Sequence, residues 1–226
     1  MLKQLYTRLS SLNLGLWLLT GVMVALALGS FSPGSSEQAG LDSVPLFVWL
    51  RQAPLFLSWW LWVAVGLIAF LCLNAVVCSI EALRKKGRSI APHLMHLGFL
   101  LIVVAHLFSA YGSFKDMLEV TEGSILGFRD SEQLRVERIS GEIGPMGMMT
   151  SYRAVLRIGQ GPSVTIQPNH PLFHNGYGIY LKEAALSPAP IALLEIHREP
   201  GALPALIGAL AFTLGNLMLL AQRRKR

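Results

Sequence analysis

Four stretches of this chain run for about twenty residues with almost no charge, long enough to cross a bilayer core of about 30 Å. They predict membrane-spanning helices over about 14–31, 57–80 and 90–111, with a fourth inside 201–226. The first apolar run exceeds the roughly 7–15 residues of a signal-peptide core, so it reads as a retained span. Between the third and fourth stretches the texture changes. "MLEVTEG", "EQLRVERIS", "SYRAVLRIG", "SVTIQPN", "GIYLKEA" and "IALLEIHRE" are short runs with partial alternation of apolar and polar residues. Gly, Pro, Asn or Ser bounds each of them, which is the mark of antiparallel strands half-covered by a core. The pattern therefore predicts an integral membrane α-helical protein with four transmembrane helices and a small extracytoplasmic antiparallel β domain between helices three and four. The boundaries are a membrane region over 1–112, the β domain over 113–200, and the last helix with its basic tail over 201–226.

The flanks of the spans add detail. Lys3–Asn13 is short and amphipathic, with Leu2, Leu5, Leu9 and Leu12 at helical spacing, and is expected along the inner interface. After span one, "SPGSSEQAG" reads as a flexible polar tract. The following "SVPLFVWLRQAPLFLSWW" is apolar and is expected to lie along the outer interface. Trp59, Trp60 and Trp62 are placed to form an aromatic belt where span two begins.

Composition supports this picture and charge orients it. The 226 residues are 53% hydrophobic and 14% charged, with a mean hydropathy of +0.50. The net charge of +6 raises the question of nucleic acid, and the distribution answers it. Lys3, Arg8, Arg84, Lys85, Lys86, Arg88 and the terminal Arg223, Arg224, Lys225 and Arg226 all flank the same ends of the spans, with Glu81 as the one acid among them. The other two connections are slightly acidic. Bases retained on the cytoplasmic side explain this alternation, so both termini are expected in the cytoplasm and the β domain on the outer, periplasmic side of the inner membrane. Nucleic acid is not an expected partner; the lipid bilayer is. Cys72 and Cys78 lie six residues apart on span two, on different faces of a helix, and form no intrahelical pair. With no C-x-x-C-H, the chain carries no c-type haem attachment site of its own.

The candidate chemistry lies in the histidines. Pro92 suits the first turn of span three. His93 and His96 follow at i and i+3 on one face near the cytoplasmic end, and His106 lies about 15 Å further along the axis and about 80° around it. One metal or haem iron cannot reach both His96 and His106. Ionisable residues deep in a span usually line a functional interior, but a buried, hydrogen-bonded histidine satisfies the same sequence, and both readings stay open. Spans one, two and four contain no histidine, and Met23 and Met218 stand singly in apolar surroundings. A bis-histidine haem enclosed by this chain alone is therefore not available, and an axial histidine here needs its counterpart from another protein or a second copy. In the outer segment, "QPNHPLFHNGYGIY" sets His170 and His174 around Pro171, and Asn175–Gly176 is a strong turn signal. Pro171 and that turn argue against a helical H-x-x-x-H metal site. His197 falls in the last strand.

These residues resemble a known family. The second span ending in N-x-x-x-C-S, the H-x-G-F-L-L start of span three, the N-x-P-L-x-x-x-G-x-x-x-Y turn and the Pro-Gly start of span four appear in an order similar to the ResB/CcsB family of cytochrome c biogenesis, system II. The resemblance covers nearly the whole chain, which is much shorter than most members because the outer β domain is reduced. It implies a membrane subunit that helps to carry haem b outward, keep it reduced and present it to apocytochrome c, together with a CcsA/ResC-type membrane haem-handling protein. The chain is then non-catalytic alone and part of a cytochrome c synthetase (haem lyase) complex.

The family's haem-ligating histidine near the inner end of span three corresponds to His96, in H-L-G-F, with His93 beside it. His106 stands where a small residue is expected, which leaves a second haem position open. The partner's W-W-D motif is absent; "SWWLW" is an aromatic anchor. His170, His174, Asn169 and Gly176 become possible outer-domain contacts, and edge-strand addition is one way such a domain grips an extended apocytochrome segment. The alternative reading is a haem b-bearing anchor subunit of a quinol-linked electron-transfer complex, with His96 and His106 serving two stacked haems.

Overall fold

The computed structural model describes residues 2–32, 44–84, 89–128, 132–144 and 149–223. The polar tract of the first loop, Lys85, Lys86, Arg88 and the tail beyond residue 223 lie outside the described residues. Two units emerge: 1–111 with 200–226, and 112–199.

The membrane unit contains α1 (Leu2–Leu9), α2 (Leu12–Ser30), α3 (Leu46–Gln52), α4 (Leu55–Arg84), α5 (Ala91–Gly112) and α6 (Ala202–Arg223). α2, α4, α5 and α6 are long and apolar enough to cross a membrane. α4, at 30 residues, is about 45 Å long and exceeds the apolar core.

α2 and α4 run antiparallel, and small residues set how closely they approach. A Cβ on Gly15 would lie 2.7 Å from Asn74 Oδ1, one on Gly21 would lie 3.2 Å from Leu67, and one on Gly29 would enter the Trp60 ring. Asn74 is buried, and its Nδ2 donates to Leu9 O at 2.6 Å and Ser11 O at 3.1 Å. It thereby satisfies the Leu9 carbonyl at the end of α1 and adds a second bond to Ser11 O, which also accepts the Gly15 N–H that opens α2. Beside it, Tyr6 donates its hydroxyl to Glu81 at 3.1 Å. Glu81, the isolated acid of the basic connections, thus has a partner on α1.

The apolar segment before span two is not a uniform interfacial strip. Its two prolines split it: Pro45 precedes α3 and Pro54 precedes α4, each accepting the first helical N–H bonds through its carbonyl. Trp60 departs from the aromatic-belt expectation. It is buried with Trp49, Leu50 and Leu61, and its Nε1 donates to Leu57 O at 3.0 Å. Trp59 and Trp62, three residues apart, share the exposed face. One residue is about 100° of helix rotation, which turns Trp60 inward.

α5 and α6 form the second antiparallel pair. Gly201, immediately before α6, and Gly208 and Gly215 within it recur every seventh residue along one face. Added side chains there would strike Ala105 O and Ser109, Gly98 O and Ile102, and Met95 and Ala91 O respectively. Gly98 is the reciprocal position on α5, where a Cβ would lie 2.5 Å from Phe212 N and 2.6 Å from Gly208 O. Lipid gives no hydrophobic reason for helices to associate, so backbone-close packing at small residues supplies the attraction.

The second unit consists of two four-stranded antiparallel sheets. β1 (Phe114–Thr121), β8 (Ile191–Arg198), β7 (Tyr177–Ala185) and β6 (Leu172–His174) form one in that order. β2 (Ile125–Leu126), β3 (Leu134–Ile143), β4 (Met149–Ile158) and β5 (Ser163–Ile166) form the other. Both turn apolar faces into one core that includes Leu134, Val136, Leu156 and Ile166 from one sheet and Ile179, Leu181, Leu194 and Ile196 from the other. The alternating runs read from the sequence match β1, β3, β4, β5, β7 and β8; the two- and three-residue strands β2 and β6 are too short to show a period. A bulge between Leu181 and Glu183 puts Lys182 out of register, where its carbonyl accepts the Tyr152 hydroxyl. Strand β1 is an edge, and side chains occupy two of its backbone N–H groups: Met117 N–H donates to Asp116 and Thr121 N–H to Ser124. That blunts it as a site for strand addition.

Candidate functional site

Within the membrane unit the three histidines of α5 have different surroundings. His93 and His96 are half-buried and His106 is exposed. His96 Nδ1 lies 2.9 Å from Ser79 Oγ of α4, and Ser79 Oγ lies 2.8 Å from Ala75 O one turn back on its own helix. Nε2 of His96 has no hydrogen-bond partner among the described residues. Gly98 lies two residues on, where α6 closes against α5, so His96 is held from two sides: its ring by α4 and its backbone by the α6 contact. His106 sits one residue after buried Ala105 on the exposed side of the helix, beside exposed Leu107 and Phe108. The structure therefore does not bring His96 and His106 together, and within this chain His106 lies outside the helix packing. A helix offers its packed face to about half its residues, and α6 takes the face of Ala105 and Ser109.

The donor set decides which group these residues suit. Among the described residues no group of three or more His, Cys, Asp or Glu side chains could hold a metal ion. A single imidazole with one nitrogen engaged and the other open matches one axial position of haem iron, which needs no third protein ligand. Cys72 and Cys78 are unpaired thiols on α4. A cavity of about 730 Å³ in the membrane unit is lined by Gln4, Thr7, Arg8, Ser11 and Leu14, with no histidine among these residues.

In the β unit the "QPNHPLFHNGYGIY" stretch forms two tight turns. Gln167 and His170 exchange backbone hydrogen bonds around Pro168 and Asn169, the latter at φ +64°. Pro followed by a left-handed residue is the type II pattern. Asn175 and Gly176, at φ +48° and +79°, close the β6–β7 hairpin as their sequence predicts. His170 is exposed, and His174 contacts Asn175 Nδ2 at 3.2 Å; they stand at opposite ends of β6. A cleft of about 460 Å³ lies between the first turn and Tyr180–Lys182.

Tyr180 continues onto a face that sequence reading left unassembled. Its ring stacks on His197 at 4.7 Å and meets Phe173 edge-on at 6.0 Å, and the missing side chain of Gly178 makes room for both Tyr180 and Phe173. His197 Nε2 donates to Glu195 at 3.0 Å, while Lys182 and Lys115 approach the other oxygen at 3.5 and 3.7 Å. Burial pushes the Glu195 carboxyl up, but Lys115, Lys182 and the His197 bond outweigh it and hold the group below its ordinary value. A carboxylate with a depressed folded pKa stabilises above its unfolded pKa and loses that contribution as pH falls through the folded one. Glu195→Gln is therefore expected to cost about 1–2 kcal/mol at neutral pH. The gap between wild type and variant should close as the pH drops below the carboxylate range, as followed by thermal denaturation. A gap independent of pH would mean that the charge is not what Glu195 contributes.

Comparison with known proteins gives a distant structural likeness. The chain is similar to a solved structure of cytochrome c heme lyase CcmF, with 13% identity and a TM-score of 0.39, over 88% of this chain and 33% of that one. It spans about a third of the length of the structure it matches. No protein-family model matches the chain, and neither does any curated protein. Chains superposing this loosely need share neither activity nor partners.

Sequence reading did not assign Ser79 and Asn74 their roles, although both lie in the N-x-x-x-C-S pattern at the end of span two. The available signal was polarity: a serine and an asparagine deep in an apolar helix need partners. Glu195 was detectable in the same way, as an acid inside the alternating run "IALLEIHRE".

Proposed function

We propose that this chain is the ResB/CcsB-type membrane subunit of a system II cytochrome c biogenesis complex, which carries haem b across the membrane and presents it to apocytochrome c with a CcsA/ResC-type partner. One observation carries the reading: His96 presents an imidazole inside a span, with Nδ1 engaged by Ser79 and no histidine on the other three spans to oppose it. The ligand set is half of a bis-histidine pair, so the partner supplies the other half. The motif order shared with the family supports the same conclusion.

Haem, when bound, supplies the porphyrin that is joined to the two thiols of C-x-x-C-H. The chain's own residues hold and shield it. Ser79 orients the ring of His96, and the α5–α6 contact at Gly98 fixes the backbone that bears it. Bases flanking alternate connections support a reading with both termini in the cytoplasm and the β unit, with its Asn169–Tyr180 cleft, on the side of the apocytochrome. The chain performs no bond-making step alone.

The test is co-expression with a CcsA/ResC-type partner, purification, and an absorption spectrum of the complex, alongside deletion of the gene in its host. A low-spin bis-histidine haem spectrum and loss of all c-type cytochromes are expected. Normal c-type cytochromes in the deletion strain, or a stable haem reduced by quinol, would reject this reading in favour of an electron-transfer anchor.

A further inference from the structure

We infer that Ser79 sets the protonation of His96, fixing the Nδ1–H tautomer and so directing the Nε2 lone pair outward as the ligating atom. This rests on the reading of His96 as an axial haem ligand, and it assigns Ser79 as a positioning residue for that ligand.

The argument is a count of protons. Ser79 Oγ has two close neighbours, Ala75 O at 2.8 Å and His96 Nδ1 at 2.9 Å. A carbonyl oxygen only accepts, so the contact with Ala75 consumes the hydroxyl's one hydrogen. If that hydrogen turned toward the imidazole instead, two oxygens would face each other at 2.8 Å with lone pairs opposed and no proton between them. With Oγ–H on Ala75, the oxygen has lone pairs alone to offer, and the proton of the second contact comes from His96 Nδ1. A neutral imidazole carries one N–H. Placing it on Nδ1 leaves Nε2 bare, and Nε2 has no partner among the described residues.

The choice of serine has a chemical consequence. Ring nitrogens that ligate metals usually have the opposite N–H donated to a carboxylate, a carbonyl or water, which fixes orientation and raises the basicity of the ligand. A hydroxyl that is itself a donor elsewhere is a neutral, moderate acceptor. It fixes the tautomer without drawing the proton off Nδ1, so His96 ligates as an ordinary imidazole. The arrangement also costs α4 little, because the Ser79–Ala75 bond is the usual i to i−4 return of a serine buried in a helix. Three residues then act in series: Ala75 O orients the hydroxyl, the hydroxyl orients the ring, and the ring presents Nε2.

The experiment is nitrogen-15 NMR of the full chain, labelled on histidine and held in lipid nanodiscs without haem. A His96→Gln variant identifies the His96 signals. Wild type is expected to show His96 protonated at Nδ1 and bare at Nε2. Ser79→Ala should move it to the Nε2–H form that an unrestrained imidazole favours, and Ser79→Thr, which keeps the hydroxyl, should restore it. Unchanged signals of the other five histidines show that each variant is folded. In the complex with the partner, Ser79→Ala should weaken haem binding by roughly tenfold, at the lower end of the 10–100-fold typical for such supporting groups. A wild-type His96 protonated at Nε2, or a Ser79→Ala spectrum that superimposes on wild type, overturns the inference. If the tautomer is as stated but His96→Ala keeps its haem, the inference about Ser79 stands and the assignment of His96 as ligand falls.

Discussion

His96→Ala is expected to reduce the haem retained by the purified complex by more than about tenfold, since even a supporting group behind a ligating histidine is worth roughly 10–100-fold. His96 is the one histidine of the spans whose ring is shown bonded to a neighbouring helix, through Ser79 Oγ at 2.9 Å. Removing it deletes the proposed ligand and leaves the Ser79 lone pairs without a donor. His93→Ala, one turn toward the start of α5, should retain most of the haem, and so should His106→Ala, whose side chain lies on the exposed surface of α5. The measurement is haem per mole of complex, read from the pyridine haemochrome spectrum. A His96→Ala complex with full haem content would remove this residue from the role. A loss confined to His106→Ala would move the haem about 15 Å along the helix axis.

Gly208→Leu is expected to be the most damaging single change to the membrane unit. A Cβ at Gly208 would meet Gly98 O at 2.8 Å, Ile102 Cγ1 at 2.9 Å and Ile102 N at 3.0 Å. Two of these are backbone atoms, which cannot rotate away, so α6 must separate from α5 along its length. Overpacking of this kind costs about 1–3 kcal/mol in a core, and here it also forfeits the helix contact that lipid does not replace. Gly66 on α4 is the control, because nothing lies within 4 Å of its Cβ position, so Gly66→Leu should not destabilise the unit. Detergent-induced unfolding followed by circular dichroism separates the two. Equal midpoints for both variants would mean that the α5–α6 contact does not hold the unit together.

The elements most legible in the sequence are those whose pattern repeats for several periods. Spans of about twenty apolar residues and strands of eight to ten residues announce themselves, and the described elements coincide with them. The seven-residue helix α3 and the strands β2 and β6 do not, because two turns or one pleat give no period to detect. Trp60 shows a second limit. Three tryptophans near the end of a span look equivalent until helix rotation sends one of them against Gly29. Of the candidate site, the histidines were visible as residue types out of place in hydrocarbon. Their ranking came from the family resemblance alone, since the contact that distinguishes His96 in space is made by Ser79 from another helix. The residues that suggested the family resemblance do have physical tasks here. Asn74 joins α1 to α2, Gly98 receives α6, Asn169 and Gly176 take left-handed turns, and Tyr180 stacks on His197.

The close contact of Gly201 with Ala105 and Ser109 has a consequence for how this chain can change over time. It joins the end of α5 to the start of α6, and the first and last strands between them are themselves partners, Phe114 opposite Arg198. The intervening segment is thus inserted like a cassette whose two ends are already tied. Doubling or halving the length of a flexible loop within such a segment alters the closure cost by only about 0.6 kcal/mol. Its loops can drift in length through insertion and deletion while the membrane helices keep their partners, and a small β unit such as this one needs no compensating change in the spans that carry it.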